Sequence, residues 1–186
     1  GAGEVVNGNA NHFTESGLAA NDQTTDSPTD DSENLIGNYA TWNPLYADDG
    51  TYSNGNLTVV GTSTPGKAIS TIAITAGMKV HVEMTATAQD SNMAIGLMRV
   101  NGPIITNALG SDTAGDSWMA LNEGDGDSRY QNAIVVNGTG GWANGERLTM
   151  EIDKDAGDVF IWRDGVAENS GASMFSSTSK TNLAAA

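Results

Sequence analysis

The segment Glu123-Gly-Asp125-Gly-Asp127 is the densest group of candidate metal ligands in the sequence. Its three carboxylates lie within five residues, and the intervening glycines let the backbone wrap around a hard cation. Calcium takes about six to eight oxygen ligands and prefers carboxylates. The segment lacks the further ligands and terminal Glu of a full calcium loop. Two interpretations therefore stay open: a calcium site formed by Glu123, Asp125 and Asp127, and a solvated turn.

Three aromatic side chains are candidates for contact with a glycan. Sugars stack on aromatic faces, while nearby Asn and Asp side chains bind their hydroxyl groups. Trp118 and Tyr130 flank the acidic segment, and Trp142 follows two glycines in a Gly-rich loop. The sequence predicts Trp118, Tyr130 and Trp142 as glycan-binding residues, with core packing or a subunit contact as the alternative for each.

Catalytic motifs are not visible in the sequence. His12 and His81 have no nucleophile nearby, and the sequence has no nucleophile elbow and no phosphate-binding Gly-rich loop with Lys. Glycoside hydrolysis needs two carboxylates at a fixed separation, one of them in an apolar pocket. Glu83 and Glu151 are the candidates within predicted strands, and alternation directs both outward. We therefore predict that the chain is not an enzyme, with glycan cleavage as the open alternative.

The charge balance excludes several classes of partner. The chain has 23 acidic and 8 basic residues, which gives a formal net charge of −15. Nucleic acids and anionic membranes are bound by clusters of Lys and Arg, and the sequence has none. Cysteine is absent, which excludes thiol catalysis, and no apolar run approaches the roughly 20 residues of a membrane span.

The candidate residues must be positioned by strands, because the hydrophobic pattern has a period of two. In residues 78–86, Met78, Val80, Val82, Met84 and Ala86 alternate with polar side chains. Residues 147–153 repeat this pattern, and residues 158–163 are predicted to pair with them across a polar turn. Further strands are predicted at residues 57–60, 68–74, 93–100 and 132–136.

Turn signals complete the predicted architecture. Asn-Gly and Asp-Gly pairs recur between the strands, and these residues accept the positive φ of tight hairpins. No helix of ten residues is predicted. The sequence predicts an all-β fold, an antiparallel β-sandwich of jelly-roll type over residues 34–180. Residues 1–33 have few apolar side chains and are predicted to be an extended N-terminal connector, and residues 181–186 a C-terminal tail.

A series of short motifs begins with Trp42-Asn-Pro-Leu45 and Tyr52-Ser-Asn-Gly-Asn-Leu-Thr58, and continues through residues 78–88 and Ile95-Gly96. These motifs give the chain a resemblance to SPRY-like domains of the concanavalin A-like class. It is most specific in two later runs, residues 145–153 and residues 157–165, which resemble the paired strands of these domains. The resemblance implies a SPRY-like or concanavalin A-like sandwich.

A second group of motifs lies at the front of the chain and comprises Asn11-His-Phe-Thr-Glu-Ser-Gly-Leu18, Asp22, Thr25-Asp-Ser-Pro-Thr29 and Ala40-Thr-Trp-Asn-Pro-Leu45. It resembles the tail-fibre and other structural proteins of marine bacteriophages. In those proteins a connector of this kind leads into a SPRY-like sandwich. The resemblance implies a virion structural protein, on the virion surface or otherwise extracellular.

Two function classes follow from these observations. The first is a structural and adhesive module of a viral fibre that forms a homo-oligomer, contacts neighbouring virion proteins and binds host-surface glycan. The second is a carbohydrate-binding or glycan-cleaving domain of a secreted bacterial protein. Neither class implies nucleic-acid binding or membrane insertion. No cofactor is predicted, and calcium is the open alternative.

Overall fold

The computed structural model describes residues 40–46, 50–61, 68–88, 93–100, 109–138 and 140–186. These residues belong to two compact units, one ending at Ile72 and the other spanning Ala73–Ala186. The predicted connector, residues 1–33, and its boundary with the domain lie outside the described residues.

The first unit contains a β-hairpin. Strand β1, Gly50–Ser53, pairs antiparallel with strand β2, Thr58–Gly61, and a short 3-10 helix, Pro44–Tyr46, precedes them. The connecting turn has positive φ at Asn54, Gly55 and Asn56, which are residue types that adopt this conformation readily. The Asn-Gly turn signal and the strand predicted at residues 57–60 are therefore confirmed here.

The strand predicted at residues 68–74 is wrong. This segment makes one isolated antiparallel bridge, between Ser70 and Trp42. The backbone N–H of Ile72 donates to the hydroxyl of Ser70 at 3.2 Å, and the chain bends at Thr71 and Ile72. Such a local side-chain bond offers the backbone an alternative to a sheet ladder, so the strand does not extend beyond the bridge.

The second unit contains two antiparallel four-stranded sheets. The first has the order β10-β9-β8-β3 and the second the order β4-β5-β6-β7. In chain order the strands are β3 (Lys79–Thr85), β4 (Ala94–Met98), β5 (Ser117–Asn122), β6 (Ser128–Tyr130), β7 (Ala133–Val136), β8 (Arg147–Asp153), β9 (Asp158–Arg163) and β10 (Val166–Ala167).

The predicted alternation is confirmed most clearly in the first sheet. β8 buries Leu148, Met150 and Ile152, and β9 buries Val159 and Ile161, while the residues between them face away. Strands β8 and β9 have the bounds predicted from sequence. The inner side chains of β8 and β9 share one hydrophobic cluster with Trp118, Ala120, Leu121 and Tyr130 of the second sheet.

Strands β5 and β6 were not predicted. All of β5 except Asn122 is buried, so its sequence Ser-Trp-Met-Ala-Leu lacks the polar side of an alternating strand. A strand covered on both faces loses the period-two signal by which strands are recognised. These strands place Trp118 and Tyr130 inside the unit, with consequences for the candidate site.

The chain ends in helix α1, Ser177–Ala185, which includes most of the segment predicted as a C-terminal tail. Ser179 and Leu183, one turn apart, are the buried residues of α1, and Leu183 joins the hydrophobic cluster. Lys154, in the β8–β9 turn, donates from Nζ to the carbonyl oxygens of Leu183 and Ala184, both at 2.9 Å. A cation at this position stabilises the C-terminal end of a helix. The described residues thus form an all-β fold in antiparallel sheets with a single α-helix.

Candidate binding surface

The three aromatic residues predicted to bind glycan lie in the hydrophobic core. Trp118, Tyr130 and Trp142 are 1%, 6% and 2% exposed. Trp118 stacks on Tyr130 with ring centroids 5.5 Å apart, and the guanidinium carbon of Arg99 lies 6.0 Å from the Trp118 ring centroid. The side chain of Asn182 donates to the Tyr130 hydroxyl at 2.8 Å. A sugar needs an accessible aromatic face to stack on, so this arrangement corresponds to the core-packing alternative.

The acidic segment forms a tight loop between β5 and β6 that is held by its own polar groups. The side chain of Asn122 accepts the N–H of Gly124 at 2.7 Å, and Asp125 accepts that of Asp127 at 3.0 Å. Asp127 is buried, and its Oδ1 accepts the backbone N–H of Gly138 at 3.0 Å. Its Oδ2 accepts a hydrogen bond from the guanidinium group of Arg129 at 3.3 Å. The carboxylates of Asp125 and Asp127 thus already have backbone or guanidinium partners.

Glu123 differs from the other two acids of this loop. It is 7% exposed, and its Oε2 atom has no hydrogen-bond partner. Its backbone is in close contact with Gly141, where a Cβ atom would lie 1.1 Å from the Glu123 carbonyl oxygen. No three His, Asp or Glu side chains within the described ranges are arranged as metal ligands. Calcium binding by Glu123, Asp125 and Asp127 stays a prediction.

A different group of aromatic and polar residues is accessible, on the side of the first sheet opposite the core. We call it the outer sheet face; it comprises Lys79, His81, Glu83, Thr149, Glu151, Phe160 and Trp162. The strand register sets these residues in rows across the sheet. His81 lies opposite Glu151, which lies opposite Phe160, and in the next row Glu83, Thr149 and Trp162 follow one another.

Phe160 and Trp162 form the aromatic part of the outer sheet face. Their ring centroids are 6.2 Å apart and the rings are tilted by 44°, and both side chains are half-buried. They alternate with Val159 and Ile161, which fill the core. The alternation in Asp158–Arg163 is the sequence signal that could have identified both residues as surface aromatics.

The polar part of the outer sheet face is centred on His81. Its Nε2 lies 3.3 Å from Glu83 and its Nδ1 3.5 Å from Glu151, and the three side chains are 54%, 50% and 51% exposed. At the start of β3, the Nζ atom of Lys79 lies 2.6 Å from the Oδ2 atom of Asp153. The hydrogen bond and charge of Asp153 raise the pKa of Lys79, and Lys79 lowers the pKa of Asp153. Exposed donors and acceptors therefore lie in the same rows of the sheet as the two aromatic rings.

Comparison of the chain with models of known protein families and with curated protein sequences finds no match. In the part of the chain that the structure describes, no helix is long and apolar enough to cross a membrane.

Proposed function

We propose that this chain is a structural and adhesive module of a bacteriophage fibre or another virion-surface protein, which binds host-surface glycan and catalyses no reaction. Its two four-stranded sheets form an antiparallel β-sandwich of the jelly-roll, SPRY-like kind. The module assembles as a homo-oligomer beside neighbouring virion proteins and is exposed to the extracellular medium.

The composition of the outer sheet face, with aromatic rings beside polar side chains, supports this proposal. Two partly exposed aromatic rings with centroids 6.2 Å apart lie on a rigid sheet, and hydroxyl, carboxylate and imidazole groups lie in the same and adjacent rows. Aromatic faces supply stacking surface, and the polar groups around them bind sugar hydroxyls. Because the strands fix the backbone positions of these residues, a ligand has to order side chains but no loop when it binds.

The charge on the outer sheet face limits the kind of glycan. Glu83 and Glu151 flank His81, and the whole chain has a net charge of −15. Like charges placed against one another oppose association. A neutral or amine-bearing glycan therefore fits this surface, and a polyanionic one does not.

One observation favours a second candidate, a carbohydrate-binding or glycan-cleaving domain of a secreted bacterial protein. Glu83 and Glu151 present two carboxylates on either side of one imidazole, beside the aromatic pair. Both carboxylates are about half exposed, whereas a general acid in a glycosidase lies in an apolar pocket that raises its pKa. Their exposure favours binding over cleavage.

An array of bacterial surface polysaccharides, probed with the intact chain, tests the proposal. We expect binding to neutral or amine-bearing polysaccharides and no release of reducing ends from any of them. Release of reducing ends that is lost in Glu83→Gln or Glu151→Gln would establish the glycan-cleaving candidate instead. A folded chain that binds none of the polysaccharides would contradict the adhesive role.

A further inference from the structure

The four edges of the two four-stranded sheets differ in length and regularity. β10 has two residues. β4 meets β5 through a register shift at Ile95/Gly96, and β7 meets β6 through one at Ser128/Arg129. β3 has seven residues in continuous register with β8. Short strands and bulges protect sheet edges from further pairing, so β3 is the edge best suited to accept another strand.

The backbone of β3 has hydrogen-bonding groups that point away from β8. Ala86 donates its N–H to Glu146, and Lys154 donates its N–H to the carbonyl oxygen of Met78, both at 3.1 Å. In an antiparallel ladder, successive residues direct their N–H and C=O groups to alternate sides. The even-numbered residues of β3 therefore face β8, and Lys79, His81, Glu83 and Thr85 direct these groups to the other edge, where no strand of the described residues pairs with β3.

The core side of β3 also has apolar surface left to bury. Val80, Val82 and Met84 point toward the core but are only half-buried. Leu148, Met150 and Ile152, their partners on β8, are 1%, 4% and 2% exposed. This inner row of β3 has neither a charged residue nor a proline, the two features that natural edge strands commonly use against self-association.

We propose that β3 pairs antiparallel with β3 of a second copy of this chain, about a twofold axis beside Val82. In this register Val82 lies opposite Val82 of the second copy, and Val80 lies opposite the second copy's Met84. His81 lies opposite the second copy's Glu83, whose carboxylate can accept an imidazole N–H, and symmetry repeats this pair. All pairs between odd-numbered residues place edge-facing N–H and C=O groups against each other, as an antiparallel ladder requires.

This pairing names the partner and the surface for the homo-oligomer of the proposed function, and its biological use rests on that function. It joins two four-stranded sheets into one continuous sheet and brings two outer sheet faces side by side. Two sugar-binding faces on one rigid body bind a repetitive surface polysaccharide with higher avidity than one face does.

Single cysteines test the position of the twofold axis, because the chain has no cysteine of its own. Residues opposite each other in a non-hydrogen-bonded pair have Cα atoms about 4.5 Å apart, within the range of a disulfide. Val82→Cys should therefore form a disulfide-linked dimer under mild oxidation. Val80→Cys is the matched control on the same face, because its two copies would be about 13 Å apart along the strand. An equal mixture of Val80→Cys and Met84→Cys should form the mixed dimer.

A charge exchange tests the same register without a crosslink. His81→Glu places like charges opposite each other in the dimer, and we expect its dimer dissociation constant to rise at least about tenfold. Exchange of both residues, His81→Glu with Glu83→His, again places one Glu and one His in each pair across the axis. This double variant should recover most of the lost dimer affinity. Both variants contain the His81→Glu change beside Glu151 of the same chain. The contact between residues 81 and 83 of one chain is present in monomer and dimer alike, so the difference between the two dissociation constants reports the contact between chains. Circular dichroism of each variant checks that it folds.

The outcomes separate this inference from the proposed function. Crosslinking of Val82→Cys together with recovery by the charge exchange supports the pairing. Crosslinking of Val80→Cys as fast as Val82→Cys, or the absence of any crosslink, overturns it. If light scattering then still finds a wild-type oligomer, the proposed assembly stands and uses another surface. A wild-type chain that is monomeric but binds polysaccharide contradicts both the pairing and the proposed homo-oligomer, and leaves only the adhesive role.

Discussion

The indole N–H of Trp118 donates to the backbone carbonyl oxygen of Ser179 at 3.1 Å. This bond joins β5, in the second sheet, to helix α1 at the end of the chain. Lys154 joins the same helix to the β8–β9 turn of the first sheet. The C-terminal residues therefore contribute to the hydrophobic core of the second unit.

Replacement of Leu183 tests the structural role of helix α1. Leu183 is 4% exposed, and Leu183→Ala should lower the free energy of unfolding by about 2–4 kcal/mol, because it removes buried apolar atoms and leaves a cavity. Thr181→Ala, an exposed position on the same helix, is the control and should change this free energy by less than about 0.5 kcal/mol. Urea denaturation followed by circular dichroism measures both, and equal effects would mean that α1 does not pack on the core.

The contact between Gly141 and Glu123 predicts a severe effect of one methyl group. A Cβ atom at Gly141 would lie 1.1 Å from the Glu123 carbonyl oxygen, so Gly141→Ala must force the two segments apart. We expect a loss of more than about 4 kcal/mol in the free energy of unfolding, or failure to fold. At Gly145, φ is +88° and a Cβ atom has open space, so Gly145→Ala should cost only about 1–2 kcal/mol of backbone strain. A fully stable Gly141→Ala would show that these segments are not in contact.

The lowered pKa of the Asp112 carboxyl predicts how the stability of the protein depends on pH. Burial raises the pKa of this carboxyl, but hydrogen bonds from the Ser117 hydroxyl and the backbone N–H of Asp116 outweigh burial, so its pKa lies below the usual range. Since the folded-state pKa is lowered, the ionised carboxylate stabilises the fold above the unfolded-state pKa of about 3.9. This contribution is lost as the pH falls through the folded-state pKa.

Asp112→Asn should accordingly destabilise the protein at neutral pH, and its effect on the free energy of unfolding should be smaller at acidic pH. We expect a loss of about 1–3 kcal/mol in the free energy of unfolding at pH 7, and a smaller difference from wild type below about pH 4. Asp164→Asn is a control with an exposed carboxylate that accepts a single backbone N–H, from Arg147 at 2.9 Å. Urea titrations between pH 2 and pH 7 provide the measurement, and a difference that grows toward low pH would contradict the assignment.

The sequence predicted the strands whose two faces differ in environment. In β3 and β8, alternation of apolar and polar residues reflects one face toward the core and one toward solvent. β5 has no such contrast because both its faces are covered, and helix α1 has only Ser179 and Leu183 to mark its buried side. Both elements are defined by packing against distant parts of the chain, which a local pattern does not report.

The same physical limit explains the outcome at the candidate site. Trp118 and Tyr130 looked like ligand contacts because they flank a polar loop in sequence, but β5 and β6 carry them into the core. Trp162 directly follows the buried Ile161 on β9, and this alternation places it on the outer sheet face. Successive side chains of a strand point to opposite faces of the sheet. The direction of each aromatic side chain can therefore be read from the sequence only after the strand itself is identified.

Affinity for the best polysaccharide from the array, compared between wild type and Trp162→Ala, tests the proposed adhesive surface most directly. Loss of a stacked base on a binding platform costs about 1–3 kcal/mol, and we expect a stacked sugar to behave alike, which corresponds to at least about a fivefold weaker affinity. Val166→Ala, at a neighbouring residue that is 69% exposed, is the control and should bind like wild type. Unchanged affinity in a folded Trp162→Ala variant would contradict glycan binding by the outer sheet face.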